Sequence, residues 1–219
     1  MSELISRFAA LPPYGLGALV VLLLYAIQSE VRFGSRARTL RTGVSDRNST
    51  LAVSISAAVS VLGFALAMKT NAADRSLWLP HWFRAAALPG LPLIAWVGVV
   101  LGVLGLWLRL WAVLTLRERY TRTLLVQREH AVERNGPYRW VRHPGYLGSL
   151  LCLNGIALAS GNVVTLIASL LATSAAYSYR IRVEEDMLAD LPGADYAEYR
   201  RHVGALVPHW AGRVPGGVE

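Results

Sequence analysis

The sequence predicts an all-α polytopic membrane protein of about five transmembrane helices, with a cofactor site on its cytoplasmic side. Three observations carry that expectation. Hydrophobic residues make up 54% of the 219 and charged residues only 16%, against about 25% charged in an ordinary soluble domain. Four apolar stretches lie at roughly 9–28, 51–68, 93–116 and 146–179, and one crossing takes about 20 residues. Of the 22 basic residues, all arginine except Lys69, every one but Arg109 lies outside these stretches. Ordinary soluble enzymes, disordered chains, collagen-like fibres and disulfide frameworks are excluded by these figures. The single cysteine, Cys152, lies in an apolar run and reads as a small core residue.

Taken in order, the first run, 9–28, lacks a basic start and a small-residue cleavage site, so it is expected to stay as the first membrane anchor. Segment 29–50 holds Arg32, Arg36, Arg38, Arg41 and Arg47. The second run, 51–68, leads into a loop at 69–92 whose Trp78, Trp82, Pro80 and Pro89 suit an aromatic belt at the interface. The third run, 93–116, carries Gly98 and Gly102 at the G-x-x-x-G spacing that lets helices approach closely. It also holds Arg109, which sits about 12 Å inside its cytoplasmic end at about 1.5 Å per residue. An intramembrane arginine is a functional candidate or a polar support under a site, and snorkelling to the interface is the alternative. Seven further arginines fall in 117–145. The last run, 146–179, has 34 residues and would reach about 50 Å as one helix. Gly161-Asn162 near its middle predicts a hairpin of 146–160 and 162–179.

Those five spans give an orientation. Seventeen basic residues fall in 29–50, 117–145 and the tail after 179, while Arg7, Lys69, Arg75 and Arg84 lie on the other side. The positive-inside rule puts the first set in the cytoplasm and the N-terminus outside. Residues 1–92 then form an N-terminal two-span membrane region. Residues 93–219 form a second domain that carries the cofactor site.

Polar residues able to do chemistry concentrate in 117–145 and 180–213, both on the cytoplasmic face. A site built there has an apolar flank toward lipid and a polar flank toward water, which suits a soluble cofactor acting on a lipophilic substrate. No G-x-G-x-x-G or Walker loop is present, and the five histidines show no metal-ligand spacing, so no metal is expected. Within 130–148, Gly136-Pro137 forms a turn, and Pro144 starts the fourth span with His143 in the cap region. Such a helix start favours an anion, while Tyr138 and Tyr146 offer aromatic faces and hydroxyls. After the hairpin, Arg180 and Glu184 are four apart on one helix face. A glutamate can hold ribose hydroxyls or an ammonium, and an arginine a carboxylate.

Together these elements resemble the isoprenylcysteine carboxyl methyltransferase family of integral-membrane enzymes. The resemblance rests on H-x-V-x-x-x-G-P-Y-x-x-x-R-H-P-x-Y-x-G at 130–148, R-x-x-x-E-E-x-x-L at 180–188, G-x-x-Y at 193–196 and Leu-Arg-x-Trp-Ala at 108–112. It covers about 93–208. It implies S-adenosyl-L-methionine as cofactor, enclosed by His130, Val132, Tyr138, His143, Pro144, Gly145 and Tyr146, with Gln127 a further contact and Glu184 the carboxylate that holds it. It also implies that Arg180 meets the substrate, and Arg142 of the same motif is expected to serve the reaction beside it. Two positions depart from the family pattern: Val132-Glu133 stand where Leu-Val is frequent, and Pro192 where an aromatic is usual.

Methyl transfer from a sulfonium is an in-line displacement that gains most from positioning. A carboxylate or thiolate acceptor needs no general base, and the sequence offers no evident acid–base dyad. The expected acceptor is a lipophilic small molecule or a lipid-anchored group, with membrane lipids as the surroundings and no nucleic acid as partner. Membrane sterol reductases, which bind NADPH, are the rival enzyme class, although Glu184-Glu185 would repel a nicotinamide phosphate. A non-enzymatic membrane protein is the third reading. The arginine-for-lysine bias fits a GC-rich genome, and a bacterial inner membrane is the expected location.

Overall fold

The computed structural model describes residues 13–30, 46–71, 81–84, 91–116, 133–189 and 196–208, and every regular element among them is helical. In chain order these are α1 (Pro13–Glu30), α2 (Ser49–Asn71), α3 (His81–Arg84), α4 (Leu91–Leu116), a 3₁₀ turn (Gly136–Arg139), α5 (Pro144–Ala159), α6 (Val163–Ala189) and α7 (Tyr196–His202). The long helices are apolar around most of their circumference, which removes the usual contrast between a core face and a solvent face. Leu23 and Ile27 of α1, Leu62 of α2, Leu93 and Trp107 of α4 and Leu171 of α6 all stand exposed. An apolar surface of that extent belongs against lipid.

Among the described residues two helices are long and apolar enough to cross a membrane, Ser49–Lys69 and Pro92–Leu116, whereas the apolar parts of α1 and α5, Gly15–Gln28 and Pro144–Ala159, are shorter. The expected count of about five crossings is therefore met by two helices on length and composition. The reason differs by element. The hairpin limits α5 to 16 residues, about 24 Å of helix against a hydrocarbon core of about 30 Å. In α6, Thr165, Ser169, Thr173, Ser174 and Ser178 dilute the apolar run.

Glycine decides how closely the centre packs. A Cβ on Gly98 would lie 2.5 Å from the Ala159 nitrogen, and one on Gly105 would lie 2.5 Å from both the Cys152 nitrogen and the Gly148 carbonyl oxygen. Across the same seam, a Cβ on Gly155 would meet the Gly102 nitrogen at 2.6 Å. α4 and α5 thus touch backbone to backbone, and the G-x-x-x-G pair packs helices as its spacing predicts. Val21 of α1 closes over Gly102, and Ala18, Phe64, Met68, Val99, Cys152 and Ile156 fill the adjoining core, with Cys152 fully buried.

A second seam, between α2, α5 and α6, is polar. The Ser60 and Ser169 hydroxyls lie 2.8 Å apart, Ser169 donates to Asn154 Oδ1 at 2.9 Å, and Asn154 Nδ2 donates to Thr173 at 3.0 Å. Thr165 adds a bond to the Gly63 carbonyl at 3.2 Å. Away from water such interhelical bonds hold helices together at about 0.6 kcal/mol each. At the α5–α6 turn, Gly161 takes φ +67°, a conformation glycine adopts without strain. The Asn162 side chain then accepts from the Val164 and Thr165 amides and donates to the Phe83 carbonyl, so it caps α6 and ties down α3.

Candidate active site

The start of α5 and the last three turns of α6 meet at the end of the bundle opposite the hairpin turn. His143 occupies the N-cap position of α5, ahead of Pro144, yet its ring makes no cap bond. The ring is instead aimed at α6, where Nε2 lies 3.2 Å from Glu185 Oε1 and Nδ1 lies 3.4 Å from Glu184 Oε2. A ring with a carboxylate at each nitrogen is best satisfied as imidazolium, because only the cation donates from both. Burial disfavours that charge, but the carboxylates of Glu184 and Glu185 at its two nitrogens outweigh it and hold His143 above its ordinary value. The carboxylates respond in kind. Burial pushes both upward, yet His143 pulls Glu184 below its usual range, and His143 with Arg142 brings Glu185 down to about 2.

The C-terminal segment folds over this junction, as the pairing of the two polar segments requires. Val141 and Gly204 form an isolated parallel bridge, the Arg142 amide donates to the Gly204 carbonyl at 2.8 Å, and the His143 amide donates to Ala205 at 3.0 Å. The Arg142 side chain is fully engaged in the same closure. Its Nε and Nη2 donate to Glu185 Oε1 at 3.0 and 2.7 Å, and its Nη1 donates to the carbonyls of Arg200 and Val203. Arg200 reaches the other oxygen of Glu185 at 3.4 Å. Arg142 therefore braces the site from behind.

Arg180 lies one helical turn before Glu184, buried at 6% exposure. Its Nε donates to the Tyr146 hydroxyl at 2.9 Å, and its Nη1 donates to Thr50 Oγ1 at 3.0 Å and Ser49 Oγ at 3.3 Å. Asp46 Oδ1 stands 3.7 Å away. The Tyr146 ring stacks on the His143 ring with centroids 5.4 Å apart and 6° between planes, and it also faces the Arg180 guanidinium at 5.5 Å. Arg180, Tyr146, His143 and the two glutamates thus form one continuous polar wall.

Of the sequence-derived candidates, His143, Pro144, Gly145, Tyr146, Arg180 and Glu184 come together here, with Arg142 behind them. Tyr138 stands on the 3₁₀ turn, its hydroxyl 3.5 Å from the Ala112 carbonyl and its own carbonyl accepting from Tyr199 at 2.5 Å. That turn needs Gly136, whose φ is +57° and where a Cβ would lie 2.9 Å from Thr115 Oγ1. Gln127, His130 and Val132 lie outside the described residues. Arg109 sits deeper, donating to Ser149 at 2.6 Å and lying over the Tyr25 ring at 5.2 Å. Glu133, one of the departures from the family pattern, accepts from the Asn135 amide and side chain.

Asp46, Ser49 and Thr50 are contributors that the sequence reading did not single out. Their signal was an acid followed by hydroxyl residues at the start of an apolar run, which marks a helix cap and says nothing of a partner 134 residues away.

Two features test the fit of an S-adenosylmethionine-like group. Glu184 Oε2 is buried with no aligned hydrogen-bond donor, its approach to His143 being a charge contact, so it can accept from a ribose hydroxyl or an ammonium. At Gly145 a Cβ would meet only the Ala112 Cβ at an ordinary 3.8 Å. The first turn of α5 is therefore loosely packed at this position. The carboxylate acceptor and the loosely packed turn both suit the group.

Comparison with known proteins agrees with this architecture. The isoprenylcysteine carboxyl methyltransferase (ICMT) family matches residues 96–190. The protein-S-isoprenylcysteine O-methyltransferase of Tribolium castaneum is 30% identical over 138 residues, covering 61% of this chain and 49% of that protein. The Saccharomyces cerevisiae enzyme of the same name is 32% identical over 114 residues, 51% of this chain and 48% of that protein. A probable protein-S-isoprenylcysteine O-methyltransferase of Oryza sativa subsp. indica is 31% identical over 135 residues, 59% of this chain and 71% of that protein. The chain thus spans about half the length of the first two relatives. These relatives are eukaryotic and lend nothing to the expected bacterial inner membrane. The solved structure of the eukaryotic intramembrane Ras methyltransferase ICMT superposes with a TM-score of 0.60 at 24% identity, over 90% of this chain and 68% of that one, which shows a shared membrane fold. With the rice relative matched over most of its length, the chain belongs to the isoprenylcysteine carboxyl methyltransferase family.

Proposed function

We propose that this protein is an integral-membrane methyltransferase that uses S-adenosyl-L-methionine to methylate the carboxylate of an S-isoprenylcysteine or a similar lipophilic acceptor. The acceptor class is the one that the relatives' names give. One observation carries the proposal: Arg180 and Glu184 are adjacent on α6, and the Tyr146–His143 stack joins them. A cation for an anionic head group thus stands beside a carboxylate with an unfilled acceptor position.

When bound, S-adenosyl-L-methionine supplies an electrophilic methyl group on its sulfonium sulfur. The rest falls to the chain. Glu184, Tyr146, Tyr138 and the first turn of α5 at Pro144 and Gly145 hold the cofactor, with Gln127, His130 and Val132 completing its surroundings. His143 holds its proton more tightly than a free imidazole and draws both glutamates toward the ionised form. Arg142 braces Glu185. Arg180 orients the acceptor carboxylate, which needs no base, so the site works by alignment. The acceptor's apolar tail lies sideways between helices.

The proposed topology has five crossings, the N-terminus outside and the site cytoplasmic, with 1–92 as a two-span region and 93–219 as the methyltransferase domain. Supporting it, the 22 residue steps from Asn162 to Glu184 correspond to about 33 Å of helix, enough to carry the chain from the hairpin turn across a hydrocarbon core of about 30 Å to the site. The arginine-rich segments fall at the Glu184 end.

Calorimetric titration of the detergent-purified protein with S-adenosylmethionine and with NADPH tests the cofactor, with Glu184→Gln and Arg180→Ala as variants. The sulfonium compound alone should bind, weakened by Glu184→Gln and nearly unaffected by Arg180→Ala, which should instead abolish transfer to S-farnesylcysteine. Binding of NADPH instead, or equal loss of cofactor affinity in both variants, would overturn the assignment.

A further inference from the structure

We propose that Asp46 is a positioning residue for Arg180: acting through the hydroxyls of Ser49 and Thr50, it fixes the plane in which the guanidinium meets an anionic head group. The inference rests on the reading of Arg180 as the acceptor-binding arginine.

Asp46 is fully buried. Its Oδ1 accepts from the Ser49 hydroxyl at 2.8 Å and the Thr50 hydroxyl at 3.0 Å, and its Oδ2 accepts from the Thr50 amide at 3.1 Å. A hydroxyl carries one proton. Both protons are committed to Asp46, so each oxygen presents only lone pairs toward Arg180 Nη1, at 3.3 and 3.0 Å. Asp46 itself, at 3.7 Å, is beyond hydrogen-bonding distance of that nitrogen. It sets the polarity of the two hydroxyls and adds a charge attraction. From the other side the Tyr146 hydroxyl accepts from Nε at 2.9 Å. A planar group gripped at Nε and at Nη1 cannot rotate about its last bond, which fixes the direction from which the guanidinium meets a carboxylate.

The local backbone exceeds what a helix cap requires. An ordinary N-cap residue stands immediately before its helix, whereas Asp46 stands three residues before Ser49, where α2 begins. The intervening Arg47 and Asn48 both take positive φ, +44° and +61°, an unfavourable pairing outside glycine that persists where the surroundings impose it. The surroundings here are α6. Tyr179 donates to the Arg47 carbonyl at 2.6 Å, and the Arg47 side chain reaches Asp186 at 3.4 Å, so the turn is docked on both sides of Arg180. All of these α2 groups lie outside the family match at 96–190. The N-terminal two-span region is thereby part of the site as well as its anchor.

The test is a thermodynamic cycle on the detergent-purified full chain, with S-farnesylcysteine as acceptor. Asp46→Asn keeps the shape and removes the charge. It should raise the acceptor KM about tenfold, about 1.4 kcal/mol, while the dissociation constant for S-adenosylmethionine stays within about twofold. The double variant Ser49→Ala/Thr50→Ala should reproduce that rise, and adding Asp46→Asn to it should add little. In an Arg180→Ala background Asp46→Asn should leave binding of the acceptor unchanged. If Asp46→Asn lowers the melting temperature but leaves KM unaltered, Asp46 is a helix cap and the inference is overturned while the methyltransferase reading stands. If the wild-type chain binds no S-adenosylmethionine, that reading falls and the inference with it.

Discussion

His143 Nδ1 and Glu184 Oε2 face one another at 3.4 Å across the junction of α5 and α6, while His143 Nε2 faces Glu185 at 3.2 Å. One ring thereby bridges two adjacent carboxylates on a single helix and, with Arg142 and Arg200 on Glu185, offsets their mutual repulsion beneath the site. The same ring is the face on which Tyr146 stacks, so its protonation governs both the electrostatics and the shape of the wall.

That arrangement gives the site a defined pH window. His143 is held above its ordinary value of 6.5, so its contribution to stability is full below pH about 6.5 and is lost as pH rises through the folded value. Glu184 and Glu185 are held below 4.5, Glu185 at about 2. Their contribution is full above pH about 4.5 and is lost as pH falls through the lowered values. Thermal melts from pH 4 to 9 should show stability falling on the alkaline side. His143→Asn should flatten that limb, and an unchanged profile in this variant would refute the role given to the ring.

Arg142 is a brace, and removing it should be felt as loss of structure. Its side chain and that of Glu185 are 9% and 8% exposed, and breaking one partner of a buried pair costs about 3–5 kcal/mol. Arg142→Ala should therefore release the 196–208 segment, read as faster proteolytic cleavage there and a lower melting temperature. Intact stability with lost turnover would make Arg142 a catalytic residue instead.

Two glycines on one helix should behave oppositely. At Gly155 a Cβ would meet the Gly102 nitrogen and the Gly98 oxygen at 2.6 Å, and backbone cannot yield as a side chain does. Gly155→Ala should cost at least the about 1–3 kcal/mol of an overpacked core. Gly145→Ala meets only an ordinary contact and should change stability by no more than about 0.5 kcal/mol, while weakening S-adenosylmethionine binding about tenfold. Melting curves beside cofactor titrations separate the two effects.

The orientation can be read with a membrane-impermeant maleimide in a Cys152→Ala background. Trp82, 62% exposed beside the hairpin turn, and Arg47, exposed at the start of α2, should lie on opposite sides. Trp82→Cys should react in intact cells, and Arg47→Cys only after permeabilisation. The reverse pattern would invert the proposed topology.

Helical character, the α5–α6 turn at Gly161-Asn162 and the meeting of the described part of the 130–148 motif with 180–188 were legible, because each is written in local spacing or in a contiguous motif. The close packing of Gly98 and Gly102 was legible too, but its partner surface was not: Gly148 and Gly155 are seven apart and match no short packing motif. Asp46 was missed because the arginines of 29–50 had been read for orientation alone. Its tie to Arg180 spans 134 positions, and no periodicity reports such a contact. Arg142 shares a motif with His143, which drew it into the reaction, and only its bonds to Glu185, Arg200 and Val203 separate bracing from chemistry.

The shortness of α5 also bears on the membrane itself. A 16-residue helix falls about 6 Å short of the hydrocarbon core, and a mismatch of that size is met by local thinning of the bilayer at fractions of a kcal/mol per Å. With α5 crossing as in the proposed topology, the lipid surface would dip beside it, where its first turn bears Tyr146. An amphiphile resting in the dip keeps its tail among acyl chains while its head group stands level with Arg180. On the proposed topology and function, the lipid would bring the acceptor to the site already oriented, and the depth of the depression would select how long a polar head can be received.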